Sequence, residues 1–292
     1  MKKQIAIQGI RGSYHEIAAK RYFQDEEVEI LACHTFQDVI AAVQERPDTL
    51  GLMAIENTLA GSLLQNHELI RKSGLKVVGE YKLRISHCLA ALPGTAIQDV
   101  REINSHPMAL LQCEAFLETL QDVKIVEKED TATSAHRIRQ GQLKHHAAIC
   151  SKPAALMYGL EILAEEIETD KHNFTRFLML AAPEKTPEVL QNVTCNKAVL
   201  VFSLPHSVGS LSQVLTILSY YRMNLTKIQS FPMVGQEWQY LFYVDFTFSD
   251  DTLYRQAMTA VTPLTKDITI LGEFAEYVPE EEFPRPEKKN TT

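Results

Sequence analysis

At 292 residues the chain is longer than one typical core requires, so two or three domains are expected. Hydrophobic residues make up 45% and charged residues 23%, the balance of a soluble globular protein, and no apolar stretch is long enough for a membrane span. A formal net charge of -8 argues against a nucleic-acid partner, which needs a basic stripe, but leaves room for an anionic substrate in a locally positive pocket. Five cysteines (Cys33, Cys88, Cys113, Cys150, Cys195) without a CxxC pair fit buried thiols in a reducing compartment better than a disulfide set or a zinc site. Met1-Lys2-Lys3 runs directly into a strand with no signal-like apolar region, so the cytoplasm is the expected location and no membrane partner is expected.

Gln4–Gln8 predicts a strand, followed by Gly9-Ile10-Arg11-Gly12 and then Ser13-Tyr14-His15-Glu16. Ser13 with Glu16 three residues on predicts a capping box and a helix to about Phe23. Strand, glycine loop and capped helix gather backbone N–H groups at the positive end of a helix dipole, which suits an anion. A tight β-α turn explains the same residues, and two glycines fall short of a dinucleotide fingerprint. Val28–Cys33 predicts a second strand, and Thr35 with Asp38 opens a helix to about Glu45. Thr49–Ile55 predicts a third strand ending in Glu56-Asn57-Thr58. Polar side chains there sit where open α/β sheets place ligands. Asn57 also fits a cap for the next helix, starting near Ser62 or Leu63, a role that suits Glu56 less well.

Lys76–Glu80 and Ile85–Leu92 continue the strand pattern, and a crossing between two lobes is expected there. Arg101–Asn104 is a strand, and Ser105-His106-Pro107 opens a helix with Leu110, Cys113, Phe116 and Leu117 on one face. Ser105 is the expected N-cap, with proline in the first turn. His106 is a ligand contact or a polar loop residue; no second histidine stands at metal-ligand spacing from it. Val123–Val126 is a strand, Asp130-Thr131 caps a helix to about Gln140, Ala147–Cys150 is a strand of small residues, and Ser151 with Pro153 starts another helix. Leu160–Ile167 predicts a strand, and Thr169-Asp170-Lys171-His172 a polar turn. The turn leads into Asn173-Phe174-Thr175-Arg176-Phe177-Leu178-Met179-Leu180, a hydroxyl and a guanidinium at the start of an apolar strand. Alternating strands and helices through 1–182 predict a doubly wound α/β domain. Two similar runs make it two-lobed, with lobes roughly 1–80 plus 168–182, and 81–167, around a cleft.

The stretch 183–196 is polar with two prolines and reads as a linker. Lys197–Leu204, a helix Ser210–Tyr221, strands Leu225–Phe231 and Trp238–Phe248 joined at Val234-Gly235, a helix from Asp250 and a strand Ile268–Tyr277 give β-α-β-β-α-β over 197–278. That is the ferredoxin-like arrangement. Residues 279–292 are charged and proline-rich, with disorder expected.

With these pieces in place the chain resembles prephenate dehydratase of the monofunctional type: a two-lobed catalytic domain, similar to type 2 periplasmic binding proteins, followed by an ACT domain. The resemblance rests on Gly9-x-x-Gly12-Ser13-Tyr14, Ile55-Glu56-Asn57-Thr58-x-x-Gly61-Ser62, Ser105-His106-Pro107-x-Ala109-Leu110-x-Gln112-Cys113, Asp130-Thr131-Ala132, Ala147-Ala148-Ile149 and Asn173-x-Thr175-Arg176-Phe177, in that order. Departures from the pattern are Ile10, His15, Ala54, Thr58 and Met108. In the ACT part Val208-Gly209-Ser210-Leu211 and Lys227-Ile228-Gln229-Ser230-Phe231-Pro232 stand for the two motifs around the phenylalanine site, and the second has lost both charges. The resemblance implies a homodimer or homotetramer and an L-phenylalanine effector site whose feedback inhibition is in doubt. With no chorismate mutase segment ahead of residue 1, a monofunctional enzyme is expected.

The implied reaction takes prephenate to phenylpyruvate, with loss of carbon dioxide and water and no metal or organic cofactor. It needs donors for two carboxylates and a proton donor at the departing ring hydroxyl. Thr175 is the candidate proton donor, with Glu56 and Asn57 beside it in the catalytic set. Arg176 is the candidate carboxylate clamp, and Phe177, Thr58, Ser13, Ser105, His106 and Gln112 are candidate substrate contacts. In a regular strand Thr175 and Arg176 point to opposite faces, so Arg176 either begins an irregular strand or supports the pocket from behind. Arogenate dehydratase, and a non-catalytic sensor of small carboxylates, are the alternatives.

Overall fold

The computed structural model describes residues 2–24, 26–233 and 239–279. The expected turn at Val234-Gly235 and the expected disorder after Pro279 lie outside the described residues. Contacts divide the chain into two units, Met1–Gln191 and Asn192–Thr292.

The first unit opens with β1 (Lys3–Gln8), α1 (Tyr14–Tyr22), β2 (Val28–Cys33), α2 (Phe36–Glu45), β3 (Leu50–Asn57), β4 (Gly61–Ser62), α3 (Leu64–Ser73) and β5 (Lys76–Arg84). The chain then builds β6 (Cys88–Ala91), β7 (Glu102–Ser105), α4 (Pro107–Gln112), α5 (Glu114–Leu117), β8 (Lys124–Glu127), α6 (Thr131–Gly141), β9 (His146–Cys150), α7 (Lys152–Met157) and β10 (Glu161–Ala164). It returns through β11 (Phe174–Ala181) and ends in α8 (Thr186–Val189). One sheet has the order β5-β11-β3-β1-β2, and the other β10-β6-β9-β7-β8. These are the two lobes, each an α/β layer on its own sheet.

The first lobe is parallel from β2 through β1 to β3, and β11 inserts antiparallel between β3 and β5. The start of β11 therefore lies at the carboxyl ends of β1, β3 and β5, the edge where such sheets gather ligands. The second lobe is built from small residues: Cys88, Ala90, Ala148, Cys150, Ala154 and Ala155 are buried together against Ala132, Ala135 and Ile138. Small side chains let helix and sheet approach closely at interior density.

The chain crosses between lobes twice, after β5 and before β11, and the crossings are tied together. Ile85 N–H donates to Asn173 O at 2.8 Å, Ile167 N–H to His87 O at 3.1 Å, and His87 N–H to the buried Glu168 carboxylate at 2.9 Å. Arg84 reaches Glu168 at 3.2 Å from the other side.

The second unit runs β12 (Lys197–Ser203), α9 (Ser210–Tyr220), β13 (Asn224–Pro232), β14 (Tyr240–Thr247), α10 (Asp251–Val261) and β15 (Lys266–Phe274). Its strand order is β13-β14-β12-β15, antiparallel throughout, with Leu200, Phe202, Val214, Leu218, Phe246 and Tyr254 in its core. This is the ferredoxin-like order.

Several local expectations change. β3 extends through Glu56 and Asn57, because β11 and β4 pair with those residues. The helix expected after Ser105 breaks at Cys113 into α4 and α5. Part of the stretch read as a linker is helical, and the division falls after Gln191.

Candidate active site

Thr175 begins the buried part of β11, opposite Asn57 on β3 and Leu83 on β5. Asn57 Oδ1 accepts from the N–H groups of Leu59 (3.0 Å) and Ala60 (2.9 Å), which fixes the orientation of its amide. The opposite end, Nδ2, donates to Thr175 Oγ1 at 3.0 Å, Asn173 Oδ1 at 2.7 Å and Phe174 O at 3.1 Å. Asn57 thus caps a turn within its own loop and not α3, whose N-cap Leu63 makes no side-chain bond. With Oγ1 accepting from Asn57, the Thr175 hydroxyl keeps its proton for another partner. Thr58 joins the same strand ends: its Oγ1 donates to His172 O and accepts from Phe174 N–H, both at 2.9 Å.

The β3–β11 register slips between Arg176↔Glu56 and Phe177↔Ala54, leaving Ile55 as the extra residue of a bulge. Against β5, β11 stays regular through this region. Arg176 accordingly takes the face opposite Thr175, where its Nε donates to Glu80 Oε2 at 2.7 Å; both side chains are buried. Glu56 is paired with Arg176 in register and is half-buried. Phe177 shares the Thr175 face and meets the His15 ring edge-on, with centroids 5.0 Å apart.

The glycine loop is occupied by its own protein. Ser13 Oγ accepts from Glu16 N–H at 3.3 Å, as a cap should. The Glu16 carboxylate, however, takes Gly12 N–H and the Lys20 ammonium, and does not return to Ser13 N–H. The reciprocal capping box is therefore displaced by one residue, and the anion-friendly end of α1 already carries a carboxylate. Gly12 also touches the second lobe: Ser151 Oγ donates to Gly12 O at 2.8 Å while capping α7 through Ala154 N–H at 3.1 Å.

Ser105 is fully buried and donates to Ile149 O at 2.6 Å, so it ends β7 and does not cap α4. The cap is His106, whose Nδ1 accepts from Met108 N–H at 3.2 Å. Burial lowers the His106 pKa, and Asp130 and Glu127 partly offset this. Gln112 is buried with its Oε1 2.9 Å from His87 Nε2, and the Tyr14 hydroxyl lies 2.8 Å from His87 Nδ1 and 2.7 Å from Ser86 O. This Tyr14–His87–Gln112 chain links α1 of one lobe to α4 of the other. Burial raises the Tyr14 pKa and lowers that of His87, so both are neutral near pH 7.

A cavity of about 330 Å³ lies between the loop after β3 and α4, lined among others by Leu59, Met108, Leu111, Gln112 and Thr169. Thr175 is not in its lining; Asn57 joins the two, holding Leu59 N–H at one end and Thr175 at the other. Among the described residues no three His, Cys, Asp or Glu side chains converge as a metal would need. The sequence placed Asn173 and Tyr14 in motifs without giving either a role, and it did not point to Glu80 or His87. A Glu inside the apolar run Val77–Tyr81 was a signal for Glu80, because such residues are buried only when paired.

The chain is thus a two-lobed α/β unit with a held hydroxyl at the strand ends, followed by a ferredoxin-like unit. The prephenate dehydratase family model matches residues 5–185, and the chain belongs to that family. An arogenate dehydratase/prephenate dehydratase from Arabidopsis thaliana is 36% identical over 281 residues, covering 93% of this chain and 72% of that protein. A bifunctional chorismate mutase/prephenate dehydratase from Buchnera aphidicola is 29% identical, covering 90% and 69%. Among solved structures, GqqA, described as a novel type of quorum quenching acylase, superposes with a TM-score of 0.82 at 30% identity, covering 94% and 98%. A prephenate dehydratase from Arthrobacter aurescens in complex with L-Phe gives 0.81 at 24% identity, covering 93% and 89%.

Proposed function

We propose that the protein converts prephenate to phenylpyruvate, carbon dioxide and water, with Thr175 as proton donor. The C–C bond to the ring carboxylate breaks, its electrons complete the aromatic ring, and the C–O bond to the ring hydroxyl breaks in turn. The departing oxygen takes a proton and leaves as water. The observation that carries this reading is the Asn57 amide on Thr175 Oγ1 at 3.0 Å, which turns the hydroxyl into an oriented donor. Asn57 is the positioning residue. Arg176, held by Glu80 on the opposite face, supports the strand from behind, and Glu56 stands beside it.

The name of the GqqA structure raises amide hydrolysis as a second reading. That chemistry wants an activated nucleophile. An amide donating into Thr175 Oγ1 withdraws electron density from the oxygen, which suits an acid better than a nucleophile. The second unit is read as an ACT domain and the assembly as a dimer or tetramer. The five free cysteines support a reducing, cytoplasmic setting. Purified protein supplied in parallel with prephenate and arogenate tests the assignment. Release of phenylpyruvate from prephenate is expected; phenylalanine from arogenate alone identifies the aminated substrate. Tight binding of either without turnover supports a sensor instead.

A further inference from the structure

β1 pairs with β3 only from Leu50 to Leu52, while β3 continues to Asn57. Strand groups beyond the end of a neighbour need partners from elsewhere. At Ala54 two side chains supply them. His15 Nε2 accepts from Ala54 N–H at 3.3 Å, and Asn66 Nδ2 donates to Ala54 O at 2.7 Å. Ala54 is also the last paired residue before the bulge at Ile55, after which β3 delivers Glu56 and Asn57. A bulge aims the residues that follow it, so the hold on Ala54 bears on where Asn57 points.

The His15 ring is seated by aromatic contacts on two sides, with Phe177 at 5.0 Å and Phe36 at 5.5 Å between centroids. Because Nε2 accepts, the proton of the neutral ring belongs on Nδ1. Burial alone brings its pKa down to about 4, which keeps the acceptor available at neutral pH.

We propose that His15 is a positioning residue for the reaction: through Nε2 it fixes the Ala54 amide, and through the bulge at Ile55 it sets Asn57 and the hydroxyl of Thr175. The proposal rests on the dehydratase reading of the site. The competing explanation is simple packing, a ring filling the space between Phe36 and Phe177. Two substitutions in the full chain separate them. His15→Phe keeps a ring and removes the acceptor. His15→Gln keeps an acceptor and removes the ring.

The experiment measures steady-state kinetics with prephenate and arogenate, the melting temperature, and hydrogen exchange of the Ala54 amide. In the His15→Phe variant we expect faster Ala54 exchange and a fall in kcat of about tenfold or more, with KM little changed, since small misplacement of reacting groups is costly. In the His15→Gln variant slow exchange and most of kcat should return, even where its melting temperature is the lower of the two. Wild-type kcat and exchange in His15→Phe would overturn the proposal, as would losses in both variants that simply follow melting temperature. A wild-type protein that turns over neither substrate sinks the dehydratase reading. The Ala54 exchange then still decides whether His15 holds the strand.

Discussion

Asn57 is held in one orientation because both ends of its amide are committed. Its carbonyl is fixed by two loop N–H groups, so its NH2 must face Thr175 and Asn173. Thr175→Ala removes the hydroxyl together with the γ-methyl and should lower kcat by about 10²–10⁴, the span of general acid catalysis, in a variant that still folds. A folded Thr175→Ala variant with near-normal turnover would remove Thr175 from the mechanism. Asn57→Asp keeps the acceptor for Leu59 and Ala60 but has no proton for Thr175, so turnover should fall while the loop stays folded. Circular dichroism and kinetics on the same sample read both. His15 gives a pH prediction with a defined sign. Its pKa falls from the ordinary 6.5 to about 4 on folding, so the unfolded chain binds the extra proton first. The stability it contributes is complete above about pH 6.5 and is lost as pH falls toward 4. Melting temperatures of wild type and His15→Phe should therefore converge or cross as the buffer is acidified over that window; parallel curves would refute this linkage.

Strand β11 shows how an element sorts neighbouring residues into different tasks. Its alternation sends Thr175 and Phe177 to one face and Arg176 to the other, onto Glu80. Arg176→Leu leaves the buried Glu80 carboxylate without its guanidinium and should cost about 3–5 kcal/mol. Adding Glu80→Leu should recover much of that stability, with KM for prephenate close to wild type. A KM that stays high in the stable double variant would instead make Arg176 a substrate clamp. The strand period was legible in the sequence, and it already separated Thr175 from Arg176. The bulge at Ile55 was not, because it arises where β3 meets β11, more than a hundred residues later in the chain. Ser105 and Ser13 show the same limit. Both stand at helix starts, yet one serves a strand carbonyl and the other only its own helix, and that choice is made by tertiary neighbours. The glycine loop offers a further test. A Cβ at Gly12 would lie 2.8 Å from Ala154 Cβ, and the backbone there is left-handed at φ +89. Gly12→Ala should cost about 1–3 kcal/mol from overpacking at the lobe contact. At about 2–4 °C per kcal/mol for a unit of this size, the loss is visible in a thermal melt.

At the scale of the whole molecule, the two units raise the question of regulation. A two-lobed catalytic unit and a ferredoxin-like unit are each complete, with separate buried cores. An amino-acid effector is a zwitterion, and binding it tightly requires partners for both its ammonium and its carboxylate. Resemblance places that task on Val208–Leu211 and on the run from Lys227 to Pro232. In the first of these Val208 is fully exposed. In the second, Gln229 and Phe231 stand where the resemblance implies charges, and Gln229 Nε2 donates to its neighbour's carbonyl, Ser230 O, at 3.1 Å. Neutral side chains at those positions remove the ionic part of recognition and leave shape alone. We therefore expect phenylalanine to bind weakly or not at all and to leave prephenate turnover unchanged. Calorimetric titration of the full chain, with turnover measured at each concentration, checks both halves. Micromolar binding accompanied by inhibition would show that the zwitterion finds its partners elsewhere in the second unit. Restoring charge at Gln229 and Phe231 together offers the converse: a gain of phenylalanine sensitivity would locate the effector site on β13 directly.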